Sequence, residues 1–401
     1  MEKANIFISI HYLEIGGAET SLIGLLQALD PDKVNVDLFI NDHRGEMMQF
    51  IPQWVNVLPA IPAYTLIERP MKEVLRRGFI RLFIARLWSK WKFRQYKMKS
   101  SPKDGSAIFG YVGKYVTPIL PPIRQTKMYD LAISFVTPHN IVLEKIKAKK
   151  KICWIHTDYT KIDVNTALEY PVWNGYDYIV SISEDVTRTF CEVFPKLKDK
   201  IVEIENIISP EFVRQRADIE PHPADMPAEK DKIILLTIGR YSYQKKLEEI
   251  PIICRLLIEK GCNVKWYIIG YGGDGEYIRS AIRQEGMHSH VIMLGKKANP
   301  YPYIKACDWY VQPSRYEGKS VVVREAQILQ KPAIITDYPT ASSQVKNGVD
   351  GVIVPISVEK CATSITETIN DSKLKLEIRK YLGAHDYGNM SEISKLYHLL
   401  P

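Results

Sequence analysis

The feature that most constrains this chain is an alternation of apolar, β-rich runs with helical patterns that runs once, stops and starts again. Ile6 to Ile10 (IFISI) is a strand candidate, AETSLIGLLQALD a helix, and VNVDLFI a second strand; YDLAISF, KKICWIH, YDYIVSIS and KIVEIEN continue the series. After residue 231 come KIILLTIG, VKWYIIG, VIMLG, WYVQPS, PAIITD and GVIVP, each followed by a helical pattern. Strands separated by helices build parallel βαβ units, because two parallel neighbours need a crossover connection. The pattern therefore predicts an α/β protein with two Rossmann-like parallel sheets. Ligands of such open sheets sit beyond the carboxyl ends of the strands, so the expected site is a cleft that the two domains face.

The break between the two series is RQRADIEPHPADMPAEKDK, with three prolines, many charges and few large apolar residues. That composition reads as a linker. The expected division is a first domain over 1–213, a linker over 214–231, a second domain over 232–385 and a closing segment over 386–401. A length of 401 residues agrees with two domains. Six cysteines without a CxxC pair read as reduced, buried thiols. The opening MEKANIFISIHYLEIGGAE reads as a strand entering a glycine turn, without the parts of a secretory signal. No uncharged apolar run reaches about 18 residues, the length of a membrane-crossing helix. The cytoplasm is the expected compartment.

Several motifs fall at strand ends. In TIGRYSYQKK, Arg240 and Lys245 lie just past a hydrophobic strand. A guanidinium fork and an ammonium point charge there suit the oxygens of a diphosphate leaving group; the plain alternative is a solvated basic turn. In RYEGKSVVVREAQ, Glu317 and Glu325 are eight positions apart. A strand would separate them by about 26 Å. A helix would separate them by about 12 Å, which suits the two ends of one nucleotide-sugar. The valines favour a strand locally, yet WYVQPS and PAIITD are already parallel neighbours, and their crossover needs a helix. The expectation is a helix starting near Gly318 to Ser320, with its free amides aimed at phosphate.

Other signals are weaker. Gly16 and Gly17 separate the first strand from the first helix and allow close backbone approach. His156 ends the strand KKICWIH. Gly270, Gly272, Gly273 and Gly275 spell GxGxxG, but the next strand ends in Gly295-Lys296-Lys297 instead of the acid that a dinucleotide fingerprint needs. A strand-to-helix turn facing the cleft accounts for them better. The DxD at Asp30-Pro31-Asp32 reads as a helix stop, no His/Cys cluster has zinc spacing, and there is no P-loop. No metal and no cofactor are expected.

Taken together, these residues resemble the GT-B-fold glycosyltransferases, and within them the retaining family 4 of bacterial polysaccharide and glycolipid synthesis. The resemblance spans nearly the whole chain and is strongest from Ile233 to Pro355. Gly239-Arg240 with Lys245 is similar to the family's GR-x4-K element, and PSRYEGKSVVVREA to its E-x7-E element. NGVDGVIVP is similar to its closing strand, Gly16-Gly17-Ala18-Glu19 to its glycine loop, and Asn206 to the asparagine before the linker. The resemblance implies that the second domain binds a nucleotide-sugar, commonly a UDP-sugar. Arg240 and Lys245 would hold the diphosphate, Glu325 the ribose, and Glu317 with Gly318, Lys319 and Ser320 the donor sugar, near Gly239 and Gly272. The first domain would bind the acceptor, with Gly16-Gly17 near the phosphate and His156 near the sugar. Transfer would keep the anomeric configuration without a DxD-bound metal, and the last segment would cross back to the first domain. Three departures stand out: Lys246 where glycine is usual, Gly-Lys-Ser after Glu317 where Gly-Phe-Gly is commoner, and Gln344 where glutamate is frequent. A nucleotide-sugar epimerase of the same fold and a non-catalytic sugar-nucleotide or membrane-binding module are the alternative readings.

Residues 69–103 hold twelve Lys or Arg and one acid, a net of +11 in a chain of +8, so everything else sums to −3. Ile80, Ile84, Leu87, Trp88 and Trp91 share one face of a helix, and Arg77 and Arg81 another. This pattern suits an anionic membrane surface and a lipid-linked glycan acceptor on the inner face of the cytoplasmic membrane. A domain helix with a buried stripe is the alternative. Nucleic acid is not an expected partner, because no recognition motif accompanies the charge.

Overall fold

The computed structural model describes residues 3–99, 105–124 and 126–401. They form two compact units: one reaches to Ile207 and adds Met390–Pro401, and the other is Ile208–Asn389.

The first unit carries seven strands: β1 (Ala4–Ile10), β2 (Val34–Ile40), β3 (Asn56–Val57), β4 (Met128–Ser134), β5 (Lys147–Ile155), β6 (Tyr178–Ser181) and β7 (Ile201–Glu203). They lie in the order β3-β2-β1-β4-β5-β6-β7, all parallel. The second unit has β8 (Ile233–Ile238), β9 (Val264–Ile269), β10 (Val291–Gly295), β11 (Trp309–Gln312), β12 (Ala333–Thr336) and β13 (Val352–Val354). Their order, β10-β9-β8-β11-β12-β13, is also wholly parallel. Both are the doubly wound arrangement, with the order reversing beside the first strand of each unit.

The near-continuous apolar strands are explained by burial on both faces. In the second unit Leu235, Trp266, Ile268, Trp309 and Val311 belong to one core. Their neighbours Leu236, Tyr267, Ile269 and Tyr310 belong to a second core on the opposite face. The alternation is the period of two of a strand.

The segment expected to be a linker belongs to the second unit. A helix runs over Pro210–Ala217, its N-cap Ser209 accepting from the Phe212 amide. Val213, Ala217 and Met226 enter the same core as Tyr303 and Tyr310. Glu229 pairs with Lys232 and Lys265, and Asp225 pairs with Lys297 and accepts from the Tyr303 hydroxyl. Three apolar anchors and paired charges fasten a stretch whose composition alone suggested mobility. At the other end, the helix Ile393–His398 buries Leu396 in the first unit, and the Tyr397 hydroxyl accepts from the Asp30 amide at 2.8 Å.

The basic segment forms helices Met71–Arg76 and Ile80–Lys99; residues 100–103 lie outside the described part. The longer helix is fixed by Leu82, Arg86 and Ser89, all buried. Arg86 Nη1 donates to the carbonyls of Leu66 (2.8 Å) and Arg69 (2.6 Å), and Ser89 Oγ donates to Tyr111 O at 3.3 Å. The opposite face is Ile80, Ile84, Leu87, Trp88 and Trp91, each 45% to 60% exposed. The apolar stripe expected either at a membrane or inside the domain points to solvent, and the helix packs through its other side. At 3.6 residues per turn, Arg81, Lys92 and Lys99 flank the stripe on one edge, with Lys90 and Arg94 on the other. Among the described residues no helix is long and apolar enough to cross a membrane.

Candidate functional site

In the second unit the order of strands reverses between β8 and β11, and the loops after these two strands meet. Lys245 lies in the loop after β8 and Glu317 in the loop after β11. Their side chains pair, with Lys245 Nζ 2.6 Å from Glu317 Oε1, and both are mostly buried, at 17% and 7% exposed. Ser314 Oγ also donates to Oε1 at 2.5 Å, Gln244 Nε2 donates to Oε2 at 3.3 Å, and Thr340 Oγ1 donates to the Glu317 carbonyl at 2.9 Å. Glu317 is therefore fixed in place, and Lys245 has used one of its three N–H donors on it. Arg240 is exposed at the same loop, and no ion pair or hydrogen bond of its guanidinium occurs among the described residues.

Arg315, which sequence reasoning passed over, fastens these two loops together. Its amide donates to Gln244 O at 2.8 Å. Its guanidinium donates to Tyr243 O at 2.6 Å and to the carboxylates of Glu248 and Glu249, and stacks 4.0 Å above the Tyr243 ring. The available signal was the acidic pair Glu248-Glu249 following two lysines. Lys246 explains its own departure from the family pattern. It adopts a left-handed backbone, φ 57° and ψ 32°, where glycine is the residue without a steric cost. Its side chain compensates by turning inward, with Nζ 2.5 Å from Ile356 O and 2.7 Å from Glu249.

The helix after Glu317 is present but starts at Val321, with Ser320 as its N-cap, and runs to Ile328. Glu317, Gly318 and Lys319 form an extended turn ahead of it. Gln344 grips that turn: its Oε1 accepts from the Ser320 amide at 3.1 Å, and its amide nitrogen donates to the Ser320 carbonyl. A carboxylate there could make only the first of these bonds. Ser320 Oγ donates to Gln312 Oε1 at 2.9 Å. Beside the turn is a pocket of about 220 Å³ whose walls include Lys319, Arg324, Gln327, Gln344 and Tyr387.

Glu325 meets a different fate from the one expected of a ribose ligand. It is 4% exposed, and its Oε1 accepts from the Tyr301 hydroxyl at 3.0 Å. Burial pushes its carboxyl up to about 7, against the opposing pull of the Tyr301 bond. The two glutamates are not the open ends of one groove, because the helix turns Glu325 toward the core. Gly239 packs against the Lys245 side chain, since a Cβ there would lie 3.2 Å from Lys245 Cδ. Gly272, at φ 153°, is required by its neighbour, since a Cβ would fall 2.4 Å from the Tyr241 carbonyl oxygen. Its glycine is thus explained by loop-on-loop packing.

In the first unit Gly16 is the N-cap of the helix Gly17–Ala28 in extended conformation, and Glu19 folds over it. At Gly17 a side chain would meet open space. His156 follows β5, and its Nε2 lies 2.9 Å from Phe135 O, the residue after β4. Burial holds the imidazole down to about 4, so it is neutral at pH 7. His139, not singled out from the sequence, is 2% exposed behind it, with Nδ1 2.8 Å from Ser134 Oγ and its ring 4.5 Å from Trp173. Burial brings it down to about 3. Nothing in the spacing of His139 marked it. Among the described residues no group of His, Cys, Asp or Glu is placed to hold a metal ion.

Residues 218–383 match the family model described as "Glycosyl transferases group 1". An uncharacterized glycosyltransferase of Methanocaldococcus jannaschii is 24% identical over 58% of this chain and 59% of its own length. The N-acetylgalactosamine-N,N'-diacetylbacillosaminyl-diphospho-undecaprenol 4-alpha-N-acetylgalactosaminyltransferase of Campylobacter jejuni is 26% identical over 48% and 49%. The chain thus spans about half to three fifths of the length of these relatives. The crystal structure of Anabaena HepE in complex with UDP and glucose superimposes with a TM-score of 0.65 over 98% of both chains at 14% identity, a likeness of fold. The matched stretch lies in the second unit and holds Arg240, Lys245, Glu317 and Glu325, and the chain as a whole, with its two doubly wound parallel sheets, has a GT-B fold.

Proposed function

We propose that this protein is a retaining glycosyltransferase that moves a sugar from a nucleotide-sugar, a UDP-sugar in the first instance, to a lipid-linked glycan in cell-surface polysaccharide synthesis. The observation that carries the reading is the Lys245–Glu317 pair at 2.6 Å beside the exposed Arg240, where β8 and β11 part. Bond cleavage at the donor sugar leaves negative charge on the diphosphate. Lys245, oriented by Glu317, together with Arg240 and the Gly318 amide stabilises that charge as it develops, while the sugar acquires oxocarbenium character. Glu317 keeps Lys245 oriented and faces the donor sugar. The cations carry the load that a metal would otherwise take, so the reaction proceeds without one. The UDP and glucose in the complex of HepE support the donor class, and the undecaprenol-linked substrate in the name of the Campylobacter relative supports the acceptor class.

The outward stripe of the helix Ile80–Lys99 supplies the membrane contact on the inner face of the cytoplasmic membrane. The Trp88 and Trp91 rings pack tilted against each other with centroids 4.7 Å apart, and Lys92 lies over both. Aromatic rings at headgroup level between two rows of cations match an anionic lipid surface, each cation there contributing roughly 1 kcal/mol.

The test is to incubate the purified chain with a panel of nucleotide-sugars, with and without bacterial membrane lipids and with EDTA. Free UDP or GDP is counted, and the anomeric configuration of the product is read by NMR. Lipid-dependent release that survives EDTA and retains configuration supports the reading. Conversion of the donor without lipid indicates an epimerase, and binding without turnover a non-catalytic module. Sedimentation with anionic vesicles tests the helix: a W88Q/W91Q variant that still binds them like the wild type removes the membrane assignment.

A further inference from the structure

The first unit encloses a small cavity between the ends of β1 and β2 that no residue assigned above explains. Its volume is about 10 Å³, room for one water-sized oxygen. His11 and Tyr12 follow β1, Asn41 and Asp42 follow β2, and Thr65 and Glu68 close the far side. The charges around it are already matched. His11 Nδ1 lies 2.7 Å from Glu68 Oε1, and Asp42 faces Arg69 at 2.7 Å and Arg44 at 3.2 Å. Arg44 also reaches Glu14 at 3.6 Å and stacks on the Tyr12 ring at 4.5 Å. Each cation around the cavity already faces a carboxylate, so no net charge is left over for a phosphate, although the buried Arg69 Nε makes no hydrogen bond among the described residues. What it has is a spare acceptor: Asn41 is 4% exposed, and its Oδ1 has no hydrogen-bond partner among the described residues. A buried acceptor beside a carboxylate calls for an O–H or N–H donor.

We infer that this cavity binds one hydroxyl group of a neutral sugar, and that it is the acceptor-side anchor of the transferase reading, on which it rests. The hydroxyl donates to Asn41 Oδ1 and sits against the His11–Glu68 pair. The position of the cavity narrows the acceptor further. Glu68 lies between Leu66 and Arg69, the two residues whose carbonyls are gripped by Arg86 of the long helix. The apolar stripe is on the far side of that helix, about 10 Å across. The sugar bound here is therefore one close to its lipid anchor, and Arg86 is the positioning residue that ties the cavity to the lipid-facing helix.

Saturation-transfer NMR on the full chain tests this with octyl glucoside, galactoside, N-acetylglucosaminide and N-acetylgalactosaminide below their micelle concentrations. At least one glycoside is expected to bind the wild type. Binding should fall tenfold or more in N41L and E68Q, both close in shape to the originals, and should fall in R86M with partial recovery in R86K. Inorganic phosphate should not compete, and UDP affinity, a property of the second unit, should be unchanged in all four variants. No binding by the wild type, wild-type binding in both N41L and E68Q, or competition by phosphate overturns the assignment. Failure of the transferase reading shows separately, as the absence of nucleotide release in the donor panel.

Discussion

At the ends of β8 and β11 the second unit sets a lysine against a glutamate at 2.6 Å, with an exposed arginine beside them. In the first unit the residues after β1, β4 and β5 are a glycine turn and two histidines kept neutral by burial. The sheets are wound in the same order, so the difference lies in what the loops carry. The second unit concentrates fixed charge where a diphosphate would leave. The first places a glycine turn and neutral histidines at its comparable strand ends, together with the internally matched ring around Asn41, as suits hydroxyl recognition. Each unit also holds titratable groups that burial displaces: Glu325, pushed up to about 7, in the second, and His139, brought down to about 3, with the partly buried Glu169, pushed up to about 7, in the first.

The largest effect should come from Glu325. Its folded value, about 7, is above the ordinary glutamate value of 4.5, so the folded protein keeps a proton that the unfolded chain releases between these two values. Stability therefore falls as pH rises across that window, by about 3 kcal/mol for a shift of this size. E325Q should flatten this dependence, read as urea midpoints at pH 4.5 and 7.5; parallel profiles for variant and wild type would show that Glu325 is solvated. Next are the cations. R240A or K245A should lower transfer about 100-fold, the scale of losing one preorganised stabiliser, while H156Q should cost far less. Full activity in both cation variants, or an equal loss in H156Q, would erase the contrast between the units.

His139 has the opposite sign. Its folded value, about 3, is below the ordinary histidine value of 6.5, so stability is present above 6.5 and is lost as pH falls below it. The loss is about 2 kcal/mol between pH 6.5 and 5, and H139N should remove it. Urea midpoints for variant and wild type over that range decide the point, and their difference cancels the opposing contribution of Glu169. The smallest effect belongs to Lys246. K246G relieves a left-handed backbone cost of about 1–2 kcal/mol and gives up the contacts to Glu249 and Ile356. The net change should be within about 1 kcal/mol, with transfer unchanged. A loss above about 2 kcal/mol would make the buried ammonium the reason for the residue.

Much of the second unit was readable without coordinates. Gly239, Arg240 and Lys245, and Glu317 and Glu325, are local in sequence, and the loops that carry them are short continuations of strands. Parallel pairing was legible for the same reason, because a helix between two strands leaves few other solutions. The first unit was less readable. His139, Asn41 and Glu68 carry no spacing signal, since their surroundings come from segments distant in the chain. The helix Ile80–Lys99 is the middle case. Its stripe was visible at helical spacing, but the side facing water depended on where Leu82, Arg86 and Ser89 found partners.

The sequence by itself determined the two sheets, the helix between the glutamates and the cations at the strand end, because period, length and crossover geometry are local properties. Folding in three dimensions settled which charges are spent on each other. Lys245 is paired with Glu317, Glu325 is sunk beside Tyr301, Arg315 bridges two loops and residues 214–231 are fastened to the second unit. Those outcomes depend on distances of a few ångströms between residues far apart in the chain, and no pattern along one strand or helix encodes them.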